Sequence, residues 1–131
     1  MTEKHLQDLI VYRIERARET FEEALLMQRE GHWNACANRL YYACYYVVTA
    51  LLARKGLASS KHTGIKALFN QHFVKIGLIS KENGRLYNGL FDARQEGDYV
   101  DFVVFERDDV EPWISHVKDF IETISQLAHE L

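Results

Sequence analysis

Residues 32–55 read HWNACANRLYYACYYVVTALLARK, and the periodicity of this stretch decides the fold. Trp33, Ala37, Leu40, Cys44, Val47 and Leu51 recur at three- and four-residue spacing, which places them on one stripe of an α-helix. The apolar run from Leu40 to Ala53 is shorter than the roughly 20 residues that hydrocarbon requires, so a buried helix is expected. Beside the stripe, Asn34, Asn38, Tyr41 or Tyr42, Tyr45 and Thr49 fall on a second face of amides, phenols and a hydroxyl. That face reads either as a polar seam or outward surface, or as a dimer surface or nucleotide-facing wall. Arg39 lies about 100° around the helix from Asn38, so the two need not share a site. A surface ion pair suits Arg39 as well as a phosphate contact does.

Outward from this helix, glycines punctuate the chain. Gly31, Gly56, Gly77 and Gly97 each follow a stretch of helical periodicity, as C-terminal glycine caps do. A first helix from about Lys4 to Glu30 carries Leu6, Ile10, Ile14, Ala17, Phe21 and Leu25 on one stripe. Ser59 and Ser60 suit the N-cap of a third helix carrying Ile65, Leu68, Phe69 and Phe73 inward. Ser80 suits the cap of a fourth, with Leu86, Leu90 and Phe91 inward. A last helix starts at Asp108 or Asp109, so that Pro112 falls in or near its first turn. Ile114, Val117, Ile121, Ile124, Leu127 and Leu131 form its stripe. Tyr99 to Phe105 could be a short strand, but with no partner strand evident it reads as an ordered loop or helical turn. The expected architecture is all-α, an up-and-down bundle of four to five helices in one domain over 1–131.

Composition bounds the function. The 131 residues are 47% hydrophobic, enough for a sizeable core, and the formal net charge is -3 with a pI near 6.1. Broad binding to a phosphate backbone needs a strong basic field, so only a local basic cluster remains open. The N-terminus, Met1-Thr2-Glu3-Lys4-His5, has no apolar stretch like a signal peptide. Cys36 and Cys44 are eight apart on one helix, about 12 Å by rise, beyond the ~7 Å reach of a disulfide. Reduced thiols and a cytoplasmic location are expected. No His-Glu-x-x-His, paired Cys-x-x-Cys or carboxylate-rich loop is present, and His32 with Cys36 makes two potential ligands but no site. No metal or cofactor is expected. The glycines are too scattered for a phosphate loop, and Glu19, Glu22 and Glu23 look like a solvated helix face.

The stretch Phe91-Asp92-Ala93-Arg94-Gln95-Glu96-Gly97-Asp98-Tyr99 concentrates the chemistry. Arg94 supplies a permanent cation capable of bidentate phosphate contact. Asp98, four residues on, suits an ion pair with it. If Gly97 ends the helix, the directions of Asp98 and Tyr99 do not follow from helical spacing.

These blocks resemble the HEPN family of small prokaryotic helical bundles. Asn38-Arg39-Leu40-Tyr41-Tyr42-Ala43 is similar to the Arg-x-Tyr-Tyr-Ala run of one branch, which often has serine where Asn38 stands. His62-Thr63-Gly64-Ile65 and His72-Phe73-Val74-Lys75-x-Gly77 resemble its central helix, and Phe91 to Tyr99 its third block. The resemblance covers about Ala35 to Tyr99 and continues loosely into the last helix. It implies a homodimer, a minimal nucleotidyltransferase partner, a toxin–antitoxin arrangement, and metal-independent RNA cleavage in a groove built by two subunits.

HEPN nucleases carry an arginine followed four to six residues later by histidine. Arg94 stands where the arginine would, but Tyr99 stands at the histidine's distance, and no other arginine here has a histidine at that spacing. A phenol titrates near 10 and an imidazole near 6.5, so Tyr99 suits orienting a phosphate or slower proton donation. The candidate catalytic residues are Arg94, Tyr99, Asp98 and His62, which the family-like block puts near the start of the third helix. The ordinary reading of His62 is a solvent-exposed helix-start residue; His72 is expected to pack at a helix boundary. The candidate nucleotide- or RNA-binding residues are Arg94, Asn38, Arg39 and Tyr42. The alternatives are a non-catalytic nucleotide- or partner-binding module lacking the motif histidine, and a structural partner bundle. The resemblance also admits modification of Tyr99 by the nucleotidyltransferase.

Overall fold

The computed structural model describes residues 2–131; Met1, the first residue of the N-terminal stretch read above, lies outside them. Five α-helices follow one another: α1 (Glu3–Arg29), α2 (Trp33–Arg54), α3 (His62–Phe69), α4 (Lys81–Tyr99) and α5 (Arg107–Glu130). A single π turn, Asn70–Val74, extends α3. Among the described residues there is no strand, so the chain is the expected all-α bundle.

α2 is the central element, packed by α1 along one side and by α5 and α4 on the others. Val47 to Leu52 are six consecutive buried residues, so this half of α2 is enclosed all round rather than on one stripe. α1 contributes Ile10, Ile14, Ala17 and Phe21 to the core, and α5 contributes Val117, Phe120, Ile121 and Ile124. Leu131, expected on the α5 stripe, is instead exposed beyond the helix end. Between α2, α3, α4 and α5 an aromatic chain runs through Tyr41, Tyr87, Phe69 and Phe120, with centroids 5.4–6.2 Å apart. Both cysteines are free and buried, and burial pushes the Cys36 thiol up to about 11 and Cys44 higher as well. Among the described residues, no helix is long and apolar enough to cross a membrane.

The helix ends follow local chemistry. The Ser80 hydroxyl accepts from the Asn83 amide at 3.1 Å, as expected of a cap. α5 begins at Arg107, slightly earlier than the sequence suggests, because Glu106 and Asp109 form a reciprocal capping box. α3 departs further from expectation. Its N-cap is Lys61 and not a serine. Ser59 instead packs on Gly64, where an added Cβ would lie 2.0 Å from the serine oxygen. Gly31, Gly56 and Gly77 have φ of 73°, 70° and 86° and close their helices.

Gly97 does not end α4, which continues to Tyr99. Its missing side chain makes room for the Phe105 ring, since a Cβ there would sit 2.9 Å from Phe105 Cε2. The ring can pack there because Asn34 of α2 holds the returning chain. Asn34 donates to the Val103 carbonyl at 2.9 Å and accepts from the Phe105 amide at 2.7 Å. Tyr99 to Phe105 is therefore helix end followed by a tethered loop. Phe102, at its tip, has φ 67° and a fully exposed ring.

Candidate functional site

α4 turns Leu90, Phe91, Ala93 and Arg94 toward the bundle, so a cation shares a face with core residues. Arg94 is 5% exposed. Its guanidinium carbon lies 5.2 Å from the Tyr41 ring centre, 5.7 Å from Tyr42 and 5.4 Å from Tyr99, three cation–π contacts. Nη1 donates to the Tyr99 hydroxyl at 3.3 Å, and Nε is buried without a partner. No carboxylate is within ion-pairing distance of Arg94 among the described residues. A buried charge normally has its counter-ion beside it, because desolvation costs several kcal/mol per ion. Here aromatic faces and one phenol stand in its place.

The expected partner, Asp98, is engaged elsewhere. It accepts from Asn38 Nδ2 at 2.7 Å. That contact orients the Asn38 amide so that its oxygen accepts from Arg39 Nε at 3.0 Å and Nη2 at 2.8 Å. Asn38 and Arg39, separable by helical angle, thus touch, because the long arginine stem folds back across the helix. Arg39 also pairs with Glu23 at 3.1 Å and lies 5.3 Å from the Tyr42 ring. The surface ion pair considered for Arg39 is present, on the edge of the same cluster.

His62 is not the solvent-exposed helix-start residue of the ordinary reading. It is half-buried, with Nδ1 2.8 Å from the Tyr41 hydroxyl and its ring 4.6 Å from Tyr45 and 5.7 Å from Tyr42. Burial lowers its pKa below 6.5, and the Arg94 charge lowers it further, so the imidazole is neutral at pH 7. Burial also pushes the Tyr41 phenol up to about 12, which keeps it protonated. Tyr41 therefore joins the two candidates: its ring faces the guanidinium and its hydroxyl meets the imidazole. The sequence left Tyr41 and Tyr42 interchangeable. Tyr41 lies four residues after Ala37 and three before Cys44, both buried, and that spacing was the available signal. Thr49 leaves the polar face altogether, since its hydroxyl donates to the Tyr46 carbonyl within the same helix at 2.7 Å.

Tyr99 is 70% exposed and its ring lies against the guanidinium of the buried Arg94. His72 does not pack at a helix boundary; it is exposed on the π turn. His32 is exposed at the N-cap of α2 while Cys36 is buried, so the two do not converge. No group of three His, Cys, Asp or Glu side chains is arranged to hold a metal ion among the described residues.

Known proteins resemble this chain over most of its length. The chain is 42% identical to a "UPF0332 protein" of Thermotoga maritima over 131 residues, all of this chain and 98% of the relative. It is 27% identical over 128 residues to "Putative toxin MJ0605" of Methanocaldococcus jannaschii, covering 98% of this chain and 95% of that protein. A second protein of that organism, "Putative toxin MJ0142", is 26% identical over 98 residues, 75% of this chain and 67% of its own length. The family model described as HEPN domain matches residues 10–127. This all-α chain, with its buried Arg94 and the Tyr41–His62 pair beside it, belongs to the HEPN domain family.

Proposed function

We propose that this protein is the RNA-targeting toxin component of a two-gene system, a metal-independent endoribonuclease that works in the cytoplasm as a homodimer and is paired with a minimal nucleotidyltransferase. The observation that carries the reading is the uncompensated Arg94 guanidinium, 5% exposed with an unpartnered Nε, next to a neutral imidazole. Such a cation lacks an anion, and a phosphodiester supplies one with matching fork geometry. The toxin-named relatives support the same direction.

In this reading a phosphate oxygen replaces the Tyr99 hydroxyl on Arg94, and the Tyr99 ring swings outward into the solvent it already faces. Arg94 then holds the phosphate as the 2′-hydroxyl attacks and stabilises the charge that develops on the pentacoordinate phosphorus. In the tautomer that donates from Nδ1 to Tyr41, His62 keeps a lone pair on Nε2 and takes the 2′-hydroxyl proton. The P–O5′ bond breaks, leaving a cyclic phosphate, and the departing 5′-oxygen takes a proton from water. His62 thus fills the part of the histidine that Tyr99 displaces from the motif. Asn38 and Asp98 position Arg39 at the cluster's edge, and Tyr42 offers a ring for a base to stack on.

Incubation of the purified protein with RNA in EDTA tests this. Wild type cuts, whereas Arg94→Ala and His62→Gln do not; equal cutting by wild type and Arg94→Ala removes Arg94 from the mechanism. A second reading is favoured by the position of the Tyr99 ring against Arg94: a non-catalytic module whose Arg94 binds a nucleotide or a partner protein. Calorimetric heat on titration with nucleotide, Arg94-dependent and without RNA cleavage, selects it.

A further inference from the structure

Two arginines outside this cluster share its chemistry. Arg13 and Arg16 lie on α1 and, like Arg94, have no carboxylate within ion-pairing distance among the described residues. Arg16 donates to the Tyr46 hydroxyl at 3.0 Å, with its guanidinium carbon 4.9 Å from that ring's centre. Arg13 donates to the Thr49 carbonyl at 3.0 Å, and its charge reaches Tyr45. Glu19, one turn after Arg16, acts on it electrostatically but forms no ion pair.

The rings between these cations are continuous. Tyr42, Tyr45 and Tyr46 lie 5.8–6.3 Å from one another, and Tyr45 carries the face onto His62. All three are half-buried. Three phenol rings, Tyr42, Tyr45 and Tyr46, therefore run between the Arg94 and Arg16 guanidiniums. From Arg39 to Tyr46 the helix rises about 10 Å, against an axial rise of ~3.4 Å per phosphate along one strand of a duplex. In a chain of net charge -3, Arg13, Arg16 and Arg94 thus border one aromatic face without an ion-paired carboxylate among the described residues.

Resting on the RNA-directed reading of Arg94, we infer that this face is a second binding site, a track for the single-stranded RNA that flanks the reacting phosphate. Unstacked bases lie on Tyr45 and Tyr46, and the neighbouring phosphates meet Arg13 and Arg16. Aromatic faces accept any base, so the track selects for single strands and not for a sequence. A duplex keeps its bases stacked on one another and gains only the phosphate contacts.

Fluorescence anisotropy with an uncleavable 2′-O-methyl RNA of ten nucleotides, and with a dinucleotide of the same chemistry, tests the track at several salt concentrations. Arg13→Gln and Arg16→Gln are each expected to weaken the ten-nucleotide strand severalfold and to reduce the slope of log K against log salt by about 0.7, with the dinucleotide unaffected. Tyr46→Leu, which keeps apolar bulk, is expected to lose about 5-fold or more from a stacked base, while Arg94→Ala weakens both ligands. Ten-nucleotide binding that depends on Arg94 but is unchanged in affinity and slope by Arg13→Gln and Arg16→Gln overturns the track alone. Failure of wild type to bind either RNA overturns the reading of Arg94 and the track with it. Altered sedimentation of Arg16→Gln with unaltered RNA binding assigns the face to a protein interface and overturns the track.

Discussion

Replacing Arg94 by methionine separates a cation kept for a ligand from one kept for the fold. The guanidinium sits 5% exposed without a carboxylate, so its desolvation, several kcal/mol per ion, is offset only by what surrounds it. Three aromatic contacts at up to about 2 kcal/mol each for a desolvated cation and one hydrogen bond from a charged donor at about 1.5–3 kcal/mol roughly cancel that penalty and leave little net gain. Methionine fills similar volume, contacts the same rings and gains about 1.5–3 kcal/mol from apolar burial. The Tyr41 hydroxyl keeps its partner, His62, so no phenol in the interior is stranded by the change. Arg94→Met is therefore expected to stabilise the folded chain by about 1–2 kcal/mol, raising the melting temperature by roughly 3–8 °C for a chain of this size, while abolishing RNA cutting. Thermal unfolding followed by circular dichroism, with the EDTA cleavage assay on the same preparation, reads both. A fall of several degrees would refute the reasoning, because it would make Arg94 a structural pin.

His62 sets the pH dependence. Its folded-state pKa is depressed below 6.5, so its contribution to stability is complete above that value and is lost as pH falls through the depressed one; wild-type cleavage should fall in the same acidic window, and His62→Asn should flatten the stability profile. Asn34→Ala removes both side-chain hydrogen bonds that tie Val103 and Phe105 to α2 and should cost about 1–3 kcal/mol, with faster amide exchange confined to residues 100–106. Gly97→Ala should destabilise, although alanine favours a helix by about 1 kcal/mol, because its Cβ would lie 2.9 Å from the Phe105 ring; an unchanged or higher melting temperature would mean that the ring yields easily.

How far the sequence reached depended on whether a property is set by neighbours along the chain. Helix existence, the burial of the helix over residues 33–54, the Ser80 cap and the three glycine stops are local, fixed by periodicity and by side chains within a turn, and they were legible. The end of α4 was not. Gly97 carries the same residue type as the true stops but is there for Phe105, eight positions away, which arrives only after the loop has been caught by Asn34. The candidate site divides along the same line. That Arg94 is its cation could be read from a motif; that Asp98 turns to Asn38, and that Tyr41 and His62 meet across 21 positions, could not. A periodic pattern specifies which way a residue faces on its own helix. Which foreign atom it then meets depends on how α2, α3 and α4 pack, and in this protein that packing sets a neutral imidazole near a guanidinium without a counter-ion.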